Sequence, residues 1–202
     1  MLNRFRAFWT KVVTPIAKLL LRLGVGPDAV TLVGTLGVAF GALFFFPRGD
    51  LLAGVLFITA FVFSDLIDGT MARMSGSSSK WGAFLDSTLD RLGDAAIFGG
   101  LAMYYVGPGE DDRLAALALY CLVMGSVTSY ARARAESLGM EAKGGIAERA
   151  DRLVAILVMT GLAALFDVPV LIPVTLGLLA VASTITVVQR ILTVRRQALA
   201  AT

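Results

Sequence analysis

The chain has 202 residues, 57% of them hydrophobic and 16% charged, with a net charge of +3; soluble domains hold about 45–50% apolar residues, so an integral membrane protein is indicated. There is no histidine and a single cysteine, Cys121, which excludes imidazole chemistry, histidine metal sites, an intrachain disulfide and a thiolate cluster. Carboxylates must supply any metal site or general base, and no nucleic-acid partner is expected.

Residues 1–24 lack the long apolar core and A-x-A pattern of a cleavable signal peptide. Phe5, Phe8, Trp9, Val12, Ile16 and Leu20 recur at helical spacing, while Arg4, Lys11, Lys18 and Arg22 share another face. The pattern predicts an amphipathic helix in the membrane interface. Thr14-Pro15 is expected to break it, with Thr14 capping the second piece and Gly24 ending it.

Six apolar segments follow, at 27–47, from Leu51 into an acidic stretch, at about 82–106, 113–135, 148–166 and 170–193. Pro27 suits the first turn of the first segment, where Gly34, Gly37 and Gly41 allow close helix packing. Short connections, "PRGD", "GPGEDD" and "FDVP", alternate with long basic ones. Arg73, Lys80, Arg132, Arg134, Arg149 and Arg152 all fall on the long-connection side, whereas Arg48 and Arg113 fall on the other. The positive-inside rule makes the basic side cytoplasmic. The expected fold is an all-α integral membrane protein: an interfacial helix over 1–24, then a six-helix transmembrane domain over 25–202. It would be a multi-pass protein of the cell membrane, with both termini and the acidic site cytoplasmic.

The acidic stretch reads "SDLIDGTMARMSGSSSKWGAFLDSTLDR", Ser64 to Arg91. Asp65 and Asp68 are i, i+3, and Asp86 and Asp90 are i, i+4, so each pair shares a helix face. At 1.5 Å per residue, Asp65 and Asp68 lie roughly 21 and 26 Å along the second segment, and Asp90 and Asp86 roughly 24 and 30 Å back along the third. All four thus reach one level near the cytoplasmic boundary, with Asp65 level with Asp90 and Asp68 approaching Asp86. Unpaired, they would repel and lose hydration, and intramembrane charge marks function by default. Two divalent cations would cancel the four charges, and an oxygen-only ligand set suits Mg²⁺ or Mn²⁺. The competing reading is that Arg73 and Arg91 simply neutralise the aspartates. Asp94 continues the Asp90 face, either behind the site or paired with a base. Gly69 leaves room for a ligand against helix backbone, although any one glycine can equally serve helix packing.

The connection "SYARARAESLGMEAKGGIAERADRL" puts Arg132, Arg134, Arg149 and Arg152 at the basic ends of the fourth and fifth segments, and Arg190 reaches similar depth on the sixth. Converging guanidiniums suit an anionic ligand carrying phosphate; the alternative is positive-inside bias and lipid headgroup contact.

The array Asp65-x-x-Asp68-Gly69-x-x-Ala72-Arg73, eight residues, then Gly82-x-x-x-Asp86-x-x-x-Asp90 resembles the complete signature of the CDP-alcohol phosphotransferases. The resemblance implies a six-helix membrane enzyme, usually a homodimer, that transfers a phospho-lipid group from a CDP-activated donor to an alcohol and releases CMP. It implies that Asp65, Asp68, Asp86 and Asp90 bind two divalent ions, with Asp90 also the general base. Gly69 and Arg73 match nucleotide-binding positions, and Asp28, Ala29, Val30, Thr31 and Ser79 are implied as further donor contacts. Within the family the chain is most similar to actinobacterial phosphatidylinositol-phosphate synthases, in "TPIAKLLLRLGVGPDAVTLVGT", "SYARARAE" and "GGIAERADRL". That implies CDP-diacylglycerol as donor and inositol 1-phosphate as acceptor, held by Arg132, Arg149, Arg152 and Arg190. Arg132 stands where lysine is expected. The competing functions are phosphatidylglycerophosphate synthesis from glycerol 3-phosphate, and a divalent-cation transporter or channel. The channel would not require the four aspartates at one membrane face, nor Gly69, Ala72 and Arg73 at fixed offsets.

Overall fold

The computed structural model describes residues 13–62, 64–76 and 79–200, apart from the side chain of Asp65. All regular secondary structure among them is helical. Helix α1 covers 13–22, followed by α2 (Pro27–Phe45), a 3₁₀ turn (Phe46–Arg48), α3 (Leu51–Val62), α4 (Ser64–Ser75), α5 (Lys80–Val106), α6 (Asp112–Ser137), α7 (Arg149–Phe166) and α8 (Leu171–Ala200). These match the six apolar segments closely, except that α8 runs on past residue 193.

In α1, Thr14 and Pro15 are already helical, so Thr14 is not the residue ahead of a helix. The part of the interfacial helix before residue 13 lies outside the described residues. Gly24 ends α1 as expected. It takes φ +78°, and the Val25 N–H donates to Leu20 O at 3.0 Å while the Gly24 N–H donates to Leu21 O at 3.1 Å. This is the paired bonding by which a left-handed glycine closes a helix.

The chain forms two compact units, one within Met1–Leu43 and Leu56–Ile97, the other within Phe44–Val55 and Phe98–Thr202. In the first unit the glycines of α2 are used inside the chain. A side chain at Gly34 would run into Ser64, and one at Gly37 into the Phe61 ring. A Cβ at Gly41 would sit 2.9 Å from both Ile58 and Phe57. Glycine lets α2 pass directly over α3 and α4, which brings the first turn of α2 to the acidic motif.

In the second unit α8 packs on both α6 and α7. It buries Leu176, Leu179, Ser183, Thr186, Val187 and Arg190, and leaves Val174, Leu178, Val181, Ile185 and Val188 exposed. That second stripe is as apolar as the buried face, an arrangement suited to lipid rather than water. The α6–α7 connection is strapped along α8. The Glu141 N–H donates to Gln197 Oε1 at 2.9 Å, Gln197 Nε2 donates to Glu141 O at 2.6 Å, and the Ala147 N–H donates to Thr186 Oγ1 at 3.1 Å. Gln197 therefore has a tertiary partner beyond the predicted end of the segment.

Among the described residues, four stretches are long and apolar enough to cross a membrane: Pro27–Arg48, Leu51–Ser75, Asp112–Ser137 and Leu171–Ala200. Helices α5 and α7 fall short on composition. Helix α5 carries Lys80, Asp86, Asp90, Arg91 and Asp94, and the first turn of α7 carries Arg149, Asp151 and Arg152.

Candidate active site

The first turn of α2, the middle of α4 and the start of α5 enclose a cavity of about 270 Å³. Its walls are Pro27, Asp28 and Thr31 from α2, Asp68, Gly69 and Ala72 from α4, and Ser79, Gly82, Ala83 and Asp86 around the start of α5. Each element presents these residues for a local reason. Thr31 is buried at the α2–α4 crossing, and its Oγ1 donates to Asp68 Oδ2 at 2.6 Å. The Ser79 Oγ accepts from the Gly82 N–H at 2.9 Å, a serine cap that starts α5. Its hydroxyl hydrogen remains a donor. A Cβ at Gly69 would meet only Arg73 Nη1, at 3.8 Å, so α4 offers bare backbone at this point.

The cavity unites much of the motif but not all of it. Asp68 and Asp86 line it together, matching their expected approach, whereas Asp90 does not. Asp90 sits 3.8 Å from Arg91, and Arg91 lies 3.6 Å from the buried Asp94, which answers the question of Asp94's partner. The side chain of Asp65 lies outside the described residues, and among those described no three acidic side chains come close enough to hold an ion. Of the four carboxylates expected to cluster, Asp68 and Asp86 line the cavity. That pair fits a divalent cation by chemistry: both donors are carboxylates, and the adjoining glycines keep side chains out. Asp28 and Thr31 line the cavity, but Ala29 and Val30 do not. Arg73 is exposed and donates to Thr70 Oγ1 at 3.1 Å.

In the second unit the arginines divide into two kinds. Arg152 is 1% exposed; its Nη1 donates to Ala147 O at 3.2 Å, and its guanidinium covers Gly125 so closely that a Cβ there would lie 3.1 Å from Nη2. Arg190 is also buried, with Nη1 on Thr128 O at 2.7 Å and Nε on Gly144 O at 3.2 Å. Both hold carbonyls of α6 or of the α6–α7 connection. Arg132 is exposed and paired with Glu136 at 2.9 Å. Arg149 is half-buried, and Arg134 reaches Ser137 Oγ at 3.3 Å. Cys121 is buried and packs as expected, its thiol on Leu176 O.

A larger cavity, about 760 Å³, lies among the short connections near Asp50, Tyr105, Asp111 and Asp167. It contains no motif residue, so the smaller cavity is the better candidate on chemistry. Sequence reasoning missed the Thr31–Asp68 bond and the cavity's lining by Pro27. Only the proline at the start of a helix offered any signal.

The family model for CDP-alcohol phosphatidyltransferases matches residues 25–187. The chain belongs to this family. It is 54% identical to a phosphatidylinositol phosphate synthase of Streptomyces avermitilis, over 98% of this chain and 84% of that one. It is likewise 54% identical to that of Cutibacterium acnes, over 97% and 98%. Among solved structures it resembles the Mycobacterium tuberculosis phosphatidylinositol phosphate synthase with CDP-DAG bound, at 44% identity and TM-score 0.87, covering 91% of this chain and 94% of that one. The same mycobacterial protein in complex with manganese and citrate aligns with TM-score 0.86, over 90% and 88%.

Proposed function

We propose that the protein transfers the phosphatidyl group of CDP-diacylglycerol to inositol 1-phosphate, giving phosphatidylinositol phosphate and CMP. The observation that carries this reading is one cavity lined by Asp68, Gly69, Ser79 and Asp86, in a chain whose relatives bear that name. An inositol hydroxyl attacks the phosphorus next to the diacylglycerol; the new P–O bond forms as the bond to CMP breaks, and the hydroxyl proton leaves to a base.

Asp90 is that base, a role that requires it to come within hydrogen-bond reach of the acceptor hydroxyl when the acceptor binds. Asp65, Asp68, Asp86 and Asp90 would hold two divalent ions, Mg²⁺ or Mn²⁺, which when bound would polarise the diphosphate and stabilise CMP as it leaves. Asp28, Ser79 and the bare backbone at Gly69 hold the nucleotide end of the donor, and Arg73 turns from Thr70 to offset phosphate charge. The acceptor phosphate is taken by Arg132 and Arg149, beside Arg152 and Arg190, whose carbonyl contacts keep the α6–α7 connection in shape. All six long helical stretches cross the cell membrane, with the α4–α5 turn and the α6–α7 connection cytoplasmic and the enzyme a homodimer. This setting keeps the donor's acyl chains in lipid and its pyrophosphate at the interface.

The test is CMP release by the purified protein from CDP-diacylglycerol with each acceptor in turn. Faster reaction with inositol 1-phosphate supports the proposal. Faster reaction with glycerol 3-phosphate overturns the acceptor, and ion flux through sealed vesicles without CMP release overturns the enzyme.

A further inference from the structure

The Thr31 hydroxyl has one hydrogen and two acceptors in reach. Pro27 O, one turn back, lies at 3.1 Å, and Asp68 Oδ2 at 2.6 Å. The shorter contact is to a carboxylate, and an ionised acceptor outcompetes a neutral carbonyl. Thr31 and Asp68 are each 8% exposed, so water competes little for either. The bond also spans two helices, joining the first turn of α2 to the motif on α4.

We infer that Thr31 is a positioning residue, holding the Asp68 carboxylate for a divalent cation rather than contacting the donor phosphates. The inference rests on the proposal that Asp68 is a metal ligand. A hydroxyl whose hydrogen is committed to a carboxylate has only lone pairs left to offer, and these repel phosphate oxygens. What it does supply is restraint. A carboxylate on two rotatable bonds loses freedom when an ion binds it, and a fixed partner on one oxygen removes much of that loss beforehand. Partners of this outer kind typically change metal affinity by about 10–100-fold when removed. The close approach of α2 that places Thr31 depends on Gly34, where a side chain would meet Ser64.

The test is Mn²⁺ binding to the full-length protein in detergent, without substrate, followed by the electron paramagnetic resonance signal of free Mn²⁺. Thr31→Val, which keeps the shape and removes the hydroxyl, should weaken binding about 10-fold or more. Thr31→Ser should restore it, and the KM for CDP-diacylglycerol at saturating Mn²⁺ should move less than about twofold in either variant. Should Thr31→Val fail to fold, Thr31→Ala removes the same hydroxyl without adding bulk. Unchanged Mn²⁺ affinity in the hydroxyl-free variant, or a raised donor KM with unchanged Mn²⁺ affinity, overturns the inference. Wild-type protein that binds no Mn²⁺ overturns instead the metal-site reading beneath it.

Discussion

The α2–α4–α5 cavity and the α6–α7–α8 arginines both place charge among apolar helices, but they satisfy it differently. In the cavity the carboxylates of Asp68 and Asp86 face a common space, with a hydroxyl restraining one of them and glycines clearing the walls. Among the arginines, the buried pair Arg152 and Arg190 is bonded to backbone carbonyls, and Arg132 faces outward with Glu136. Two carboxylates lining one cavity form an oxygen-only donor pair of the kind that suits a divalent cation. Guanidiniums already bonded to a connection hold that connection first. The first region therefore keeps a cavity between its carboxylates, and the second ties down a loop.

Substitutions can break that contrast, and the largest effect belongs to the acidic motif. Asp90→Asn should cut CMP release by about 100- to 10,000-fold, the usual worth of a general base, while detergent thermal unfolding stays near wild type because the side chain is partly exposed beside Arg91. Arg152→Ala should instead act on stability, by about 1–3 kcal/mol for a buried polar contact left unmade, read as a lower unfolding midpoint. If it left the midpoint unchanged and raised only the acceptor KM, the division among the arginines would be wrong. Gly34→Ala should cost about 1–3 kcal/mol by overpacking against Ser64, and Ser64→Gly in the same chain should return most of it. The smallest effect is expected of Arg132→Gln. Its exposed pair is worth no more than about 1 kcal/mol, so stability should hold while the acceptor KM rises several-fold.

The two regions also differed in how far they could be read from sequence. The carboxylate offsets are helical periodicity, so Asp68 and Asp86 fall together once α4 and α5 form and the turn between them is short. Helix limits came from apolar runs bounded by Pro, Gly and Asp, and agree within a few residues except at the end of α8, where Gln197 bonds a distant loop. The Thr31–Asp68 bond could not be read, because it joins residues 37 positions apart and depends on how closely α2 crosses α4. The arginines were legible as a cluster but not by role. The partners of Arg152 and Arg190 are backbone carbonyls, which every residue type carries equally, so no side-chain pattern announces them. Six predicted crossings stand against four stretches apolar enough among the described residues, because α5 and α7 start with charged residues.

Metal dependence tests the central claim most directly. Protein stripped by chelation and dialysis, then given CDP-diacylglycerol and inositol 1-phosphate while Mn²⁺ is returned stepwise, should release no CMP at first. It should then recover along a saturating curve that Asp68→Asn abolishes. CMP release that persists after chelation, or that Asp68→Asn leaves intact, would contradict the account.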